Sequence, residues 1–355
     1  MADISRRNAL KSLAGVSALG LAGCLGSIGG SSSGEGDGNG GGGSTSLAVG
    51  VPGSSTTTGQ ASQAFQRVVS EESETISWNT QETGGDPASI RQYDQGNLDA
   101  FTAGNFVLAQ AMADQPPFEE QPVESLPYQG FMIATLHLHW MAVEGSGIET
   151  TDDLIGKNVW PLPPSWGLRQ MTEAVLKNAG VWEDIEPNVV DADTGDIAGA
   201  IEEGRVDAIV AYGANYVNLP GWATEVDARA NLHSIEVTDQ FKEGINKTAG
   251  TSFQEVDTYG WEQDVGSDTM GTWPSAFQFH FAKDMSVDVG YELAKLSHDH
   301  YEQVREGQPS YLDHSKFENM TDGYLPDAPV HPGVADFLKE NDAWNDDWTR
   351  GEPQA

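Results

Sequence analysis

Two stretches of this 355-residue chain carry side chains whose types and spacing suit the capture of a small anion. The first is Gly53-Ser54-Ser55-Thr56-Thr57-Thr58-Gly59, a hydroxyl-rich loop after the apolar Leu47–Val51. It leads into Ala61, Ala64, Phe65, Val68 and Val69, spaced for one face of a helix. The second is Pro161-Leu162-Pro163-Pro164-Ser165-Trp166-Gly167, after Lys157–Trp160. It leads into a helix with Leu168, Met171, Val175 and Leu176 on one stripe and Gly180 as its stop. Strand, short loop, helix is the order that turns free backbone N–H groups and the positive end of a helix dipole toward an incoming anion. Ser54, Ser55 and Thr56 supply donors in the first loop, and Ser165 does so in the second. Trp166 offers a flat apolar wall, and Arg169, in the first helical turn, can pair with a carboxylate. Prolines keep the second loop in shape before a ligand arrives, which lowers the ordering cost of binding. A further loop, Glu82-Thr83-Gly84-Gly85-Asp86-Pro87, has two glycines that permit a tight turn or a close backbone approach.

Catalytic chemistry has weaker support. His137-Leu138-His139 would put two imidazoles on one face of a strand, a candidate metal pair or an ordinary hydrogen-bonded pair. His298 and His300 on a helix would point about 200° apart, which does not suit one ion. Asp191-Ala192-Asp193-Thr194-Gly195-Asp196 has the start of a calcium loop without its distal Glu, and Asp193 or Thr194 reads as a helix cap. No Ser-His-Asp pattern has a recognisable context. No catalytic residue, metal ligand or cofactor is assigned.

The elements that must position the loops come from an internal echo. Gly96-Asn97-Leu98-Asp99-Ala100-Phe101-Thr102-Ala103 reappears as Gly204-Arg205-Val206-Asp207-Ala208-Ile209-Val210-Ala211. In each copy a helix ends at the Gly, a turn passes the Asp and a buried strand begins. Two similar α/β halves with facing strand-to-helix loops form a cleft, and such sheets bind ligands at the carboxyl ends of their strands. Tyr212-Gly213-Ala214-Asn215-Tyr216 follows the second copy. The crossover is expected near Ile133–His139, the return near Gly244–Thr251, and a long helix over Val287–Val304. The expected layout is lobe I over 47–136 plus 246–340, lobe II over 137–245, and a solvated acidic tail over 341–355.

The N-terminus reads as an address. A twin arginine, Arg6-Arg7, precedes an apolar run, Leu13–Leu25, that is shorter than the roughly 20 residues a bilayer span needs. The run contains Leu21-Ala22-Gly23-Cys24, the box of a lipidated export signal, so residues 1–23 are taken as the signal and Cys24 as the lipidation site. Residues 24–46, mostly Gly and Ser, read as a flexible tether. With one cysteine, no disulfide can form within the chain. The formal net charge of −36 becomes −38 after cleavage before Cys24, and the acids are spread along the chain. Such a surface disfavours nucleic acid and resembles proteins of very salty, archaeal-type settings, where counterions screen self-repulsion. Asn246-Lys247-Thr248 and Asn319-Met320-Thr321 are glycosylation acceptors that suit any exported chain.

From about Leu47 to Glu340 the loops, in order, resemble the TAXI-type solute receptors of tripartite ATP-independent periplasmic (TRAP) transporters. Gly53-Ser54-Ser55-Thr56 stands at that family's first Gly-Gly-Thr loop, and Thr83-Gly84-Gly85 at its Thr-Gly-Gly-Ser, with Asp86 in the Ser place. Leu162-Pro163-Pro164-Ser165-Trp166-Gly167-Leu168 stands at its Gly-Pro-Pro-Gly-Ser-Gly-Thr, and Val330-His331-Pro332-Gly333-Val334 at its Leu-His-Pro-Gly-Ala. The resemblance implies a monomeric two-lobed α/β receptor of the type II periplasmic-binding-protein-like fold, with a ligand cleft between lobes. It implies a small organic anion, glutamate- or dicarboxylate-like, handed to a TRAP-type membrane permease by lobe closure; the N-terminal signal with Cys24 adds a lipid anchor on the outer face of the cell membrane. On this reading Ser54, Ser55, Thr56, Gly84, Gly85, Ser165, Trp166, Arg169, Tyr212 and Asn215 line the cleft. Trp166 in place of a small residue, and Pro87 and Ser89 at the second helix, point to a narrower or more apolar pocket than the family norm. An exported metal-dependent enzyme, a surface ligand sensor without transport and a structural coat protein are the alternatives.

Overall fold

The computed structural model describes residues Ser44–Pro353; the signal, Cys24 and nearly all of the tether lie outside the described residues. The first strands and helices fall where the apolar periodicity puts them. Strand β1 (Thr45–Val51) leads to helix α1 (Thr57–Glu72), and β2 (Ile76–Glu82) to α2 (Asp86–Asp94). Strand β3 (Ala100–Gly104) leads to α3 (Asn105–Met112), followed by the long β4 (Tyr128–Val143). In the other half β5 (Val159–Trp160) leads to α4 (Gly167–Ala179), then come β6 (Ala208–Ala214) and β7 (Leu232–Ser234). β8 (Gln254–Asp257) and the long β9 (Thr269–Phe281) return the chain. The sheet order is β2-β1-β3-β9-β4-β6-β5, with β7 beside β4 and β8 beside β9.

The echo in the sequence is an echo in hydrogen bonds. Asp99 Oδ2 accepts from Ala48 N at 2.7 Å, and Asp207 Oδ2 accepts from Asn158 N at 2.9 Å. The Asp99 N–H donates to the Ala48 carbonyl and the Asp207 N–H to the Asn158 carbonyl. Before each, a glycine at φ 75° (Gly96) or 70° (Gly204) ends a helix, a conformation that costs glycine little. Each half is therefore the same helix–turn–strand unit, with the Asp fastening the turn to the neighbouring strand.

Strands β4 and β9 belong to both halves. The first part of β4 pairs with the end of β9, Tyr128 opposite Phe281, while its last part pairs with β6, Leu136 opposite Ala214 through Ala142 opposite Ala208. β9 starts on β8 and ends on β3. The chain therefore crosses within an unbroken strand, and it returns through β9, after the Gly244–Thr251 stretch. The β4–β9 ladder has register shifts between Gln129 and Met132 and between Met132 and Ala134. Phe65, Trp78, Phe131 and Phe279 pack edge-on beneath the first half, with centroids 5.0–5.8 Å apart.

Three expectations are corrected. The helix expected over Val287–Val304 is two, Val287–Asp299 and Tyr301–Gly307, because His300 leaves helical geometry at φ −119°. Neither Asp193 nor Thr194 caps the next helix, Ile197–Glu202; Asp196 precedes it without a side-chain cap. Residues 341–353 do not form a solvated tail. Trp344 and Trp348 pack on the core, Arg350 makes two 2.8 Å bonds to Asp336, and Gly351 N–H donates to the Val330 carbonyl. Two indoles in an acidic run carry more apolar area than water readily accepts.

Candidate functional site

The loops β1–α1, β2–α2 and β5–α4 meet over one pocket. Pro52, Thr56, Thr57 and Thr58 line it from the first, Asp86 from the second, and Trp166, Gly167 and Leu168 from the third. Leu136 on β4, Tyr212 on β6 and Phe277 on β9 close its floor, and the enclosed room is only ≈ 20 Å³. That holds about one water molecule, so a larger solute enters only if the loops part.

Two long helices point their N-termini into it. At α1 the Thr56 hydroxyl accepts from Gly59 N at 3.0 Å and the Thr56 carbonyl accepts from Gln60 N, so the Thr57 and Thr58 N–H groups keep no acceptor among the described residues. At α4 the Trp166 carbonyl takes Arg169 N and Gln170 N, leaving Gly167 and Leu168 N–H free in the same sense. All four residues line the pocket. They form a concave set of donors with two dipole ends behind it.

The loops from opposite halves touch where side chains are missing. A Cβ on Gly85 would lie 2.4 Å from the Ser165 carbonyl oxygen, and one on Gly167 would lie 2.2 Å from Val107 Cγ2 and 2.8 Å from Asp86 Oδ2. Among the described residues Asp86 is the only acidic or basic one in the lining. It is 3 % exposed, and its Oδ1 has no hydrogen-bond partner. Burial pushes its carboxyl up to about 7, against a backbone hydrogen bond from Gly104 that pulls it down. Burial likewise pushes the Tyr212 hydroxyl well above the usual phenol range.

The expected site residues divide. Thr56, Trp166 and Tyr212 line the pocket, and Gly85 and Ser165 form its cross-loop contact. Ser54, Ser55 and Gly84 are exposed on the rim; Ser54 N–H donates to Glu82. Arg169 is buried and faces away: its Nε donates to Glu173 at 2.7 Å, and its Nη1 to Asp191 at 3.1 Å and to the Leu162 carbonyl at 3.0 Å. Asn215, at φ 49°, accepts from Thr135 N at 2.7 Å and donates to the Ser310 carbonyl, which fastens a turn outside the pocket lining.

Thr57, Thr58, Asp86, Gly167 and Leu168 are the site residues the sequence reading did not single out. A signal existed for the first pair: free N–H groups belong to the first helical residues, one or two positions past the cap.

The histidine pair is structural in its contacts. His139 Nδ1 meets the His137 carbonyl at 2.9 Å, His137 Nδ1 meets the Tyr259 hydroxyl at 2.9 Å, and Trp261 Nε1 donates to His139 Nε2 at 3.3 Å. Burial lowers both imidazoles to about 4. Among the described residues no group of three His, Cys, Asp or Glu side chains could hold a metal ion. The Val330–Val334 segment serves packing: His331 Nδ1 accepts from Gly333 N, and Gly290 and Gly333 let helices Val287–Asp299 and Pro332–Glu340 approach closely.

Two α/β halves sharing two strands and closing a cleft between their strand-to-helix loops define a two-lobed, periplasmic-binding-protein-like fold. The chain belongs to the NMT1-like family, whose model matches residues 48–341. No curated protein matches it. Among solved structures it is similar to a putative L-cystine ABC transporter from Listeria monocytogenes, at 11% identity and TM-score 0.43, covering 79% of this chain and 99% of that one. It is also similar to an alkanesulfonate-binding protein from Xanthomonas axonopodis pv. citri bound to MOPS, at 13% and 0.41, covering 85% and 95%. A periplasmic aliphatic sulphonate binding protein from Escherichia coli matches at 15% and 0.40, covering 84% and 92%.

Proposed function

We propose that this protein is a solute-binding receptor that captures a small organic anion outside the cell and delivers it to a membrane permease by closure of its halves. The convergence of four acceptor-free N–H groups, at Thr57, Thr58, Gly167 and Leu168, on one pocket carries this reading. Each half contributes two of them, so the ligand itself would join the halves. The resemblance of the three loops to TAXI receptors supports a TRAP-type permease as the partner. The Arg6-Arg7 and Leu-Ala-Gly-Cys24 signals support lipid anchoring at the outer membrane face.

Trp166 lines the pocket, so its fluorescence reports occupancy. Titration of the full chain in molar potassium chloride with a panel of carboxylates and amines should change the emission and raise the melting temperature for at least one solute, with Trp166→Phe removing most of the emission change. If no solute shifts either signal, the receptor reading fails. For the anchor, Cys24→Ser should move the protein from the membrane fraction to the soluble one; equal partitioning of both forms would count against lipidation.

A further inference from the structure

The pocket joins two features that conflict for a simple anion site. The donors at the starts of α1 and α4 favour negative charge, yet Asp86 sits among them as the one acidic or basic lining side chain among the described residues. An ionised Asp86 beside a bound carboxylate would place two like charges in a closed space, and no cation in the lining would offset them. Arg169 does not: its guanidinium is spent on Glu173, Asp191 and the Leu162 carbonyl. The Asp86 Oδ1 is buried without a partner, and its carboxyl lies against Gly167, whose N–H belongs to the donor set. A buried acceptor with no donor is costly, and a group that brings or shares a proton there removes the cost.

We propose that Asp86 meets the ligand as an undissociated acid and shares its proton with the ligand carboxylate, so that the cleft takes one small monocarboxylate together with one proton. This rests on the receptor reading above and specifies its ligand. The pair is a neutral acid O–H donating to a carboxylate oxygen, whose other lone pairs accept from the Thr57, Thr58, Gly167 and Leu168 N–H groups. No covalent bond changes; one proton from solvent enters with the anion whenever Asp86 was ionised beforehand. The surroundings are consistent with this. Tyr212, from β6, is the other titratable lining group and burial keeps it protonated, while α1, α4, β4 and β9 bring no charged side chain to the lining. The raised carboxyl leaves Asp86 about half protonated near neutrality in the empty site. Dicarboxylates and glutamate fit poorly, because a second carboxylate would be buried against Leu136, Leu168 and Phe277 without a counter-charge.

The test is calorimetric titration of the full chain in molar potassium chloride with acetate, propionate, butyrate, succinate, glutamate and ethylammonium, at pH 6 to 9 in buffers of different ionisation heat. Expected are binding of a monocarboxylate in preference to succinate and glutamate, uptake approaching one proton per ligand at pH 8, and affinity falling about tenfold per pH unit above 7. Asp86→Asn, whose amide donates at every pH, should bind the same monocarboxylate with no proton uptake and a flat pH profile. Proton uptake in the unaltered protein decides the matter even if that variant does not fold. Flat affinity without proton uptake, or no monocarboxylate binding at all, overturns the proposal. Binding of ethylammonium that Asp86→Asn abolishes would also overturn it, leaving the receptor reading intact with a cationic ligand.

Discussion

The Cα of Gly85 faces the backbone carbonyl of Ser165 so closely that a methyl group there would lie 2.4 Å from the oxygen. These residues belong to loops of opposite halves, so the contact ties one half to the other across the cleft. Gly85→Ala should therefore hold the loops apart. We expect a ligand affinity at least tenfold weaker, and a radius of gyration by small-angle X-ray scattering that no longer shrinks when ligand is added. Unchanged affinity and compaction would mean that the contact plays no part in closure.

Thr57 is the first residue of α1, where proline is tolerated because its φ suits a helix start and its missing N–H has no intrahelical acceptor. Thr56 before it is extended, at φ −81° and ψ 156°, as a residue preceding proline must be. Thr57→Pro should thus delete that N–H together with the buried hydroxyl that meets Tyr212, and leave the helix start intact. A hydrogen bond to a charged group contributes about 1.5–3 kcal/mol, so affinity should fall roughly ten- to a hundred-fold with the empty protein's melting temperature nearly unchanged. Isothermal titration beside a thermal melt checks both halves of the statement.

Asp86 should cost stability in the empty protein. Its folded carboxyl lies near 7 and its unfolded one near 3.8, so across that interval the folded state binds more protons. Stability from this group therefore falls as pH rises from about 4 to 7, and the penalty is complete above 7. Asp86→Asn should raise the melting temperature at pH 8 by the equivalent of about 2–4 kcal/mol, and by little at pH 4.5. A site group that weakens the fold it sits in is a common trade between stability and function. Equal melting of both proteins at pH 8 would show that Asp86 is not desolvated.

The net charge of −36 opposes compaction wherever counterions are dilute. Melting between 0.1 and 2 M potassium chloride should rise by the equivalent of several kcal/mol, about 10 °C or more for a chain of this size. A flat response would remove the argument that the acidic surface is an adaptation to high salt.

Local pattern made the scaffold readable, and long-range packing hid most of the site. Leu168, Met171, Val175 and Leu176 announce α4, and Gly180 ends it at φ 76°, because helix period and stop are written within a dozen residues. The Gly96 and Gly204 copies likewise carry their turn and their Asp fastener in adjacent positions. Arg169 was misleading on its own, yet Glu173 stands four residues on, the spacing at which a helix pairs opposite charges. Asp86 could not be read, since its carboxyl lies against Gly167, some eighty positions away, and accepts from the Gly104 backbone. Trp344, Trp348 and Arg350 were a signal of packing that the surrounding acids obscured.

Because β4 and β9 run unbroken through both halves, the described residues hold no linker at which the halves could be divided. Each half borrows its central strands from the same two segments, so neither could be expressed alone with a complete sheet. Recombination with a relative to exchange one half would have to join the parents inside β4 and again inside β9, with the alternation of inward and outward residues kept at both seams. Inheritance of ligand preference in such a chain is thus tied to whole-gene descent, or to substitution at the loops, more than to the trading of modules.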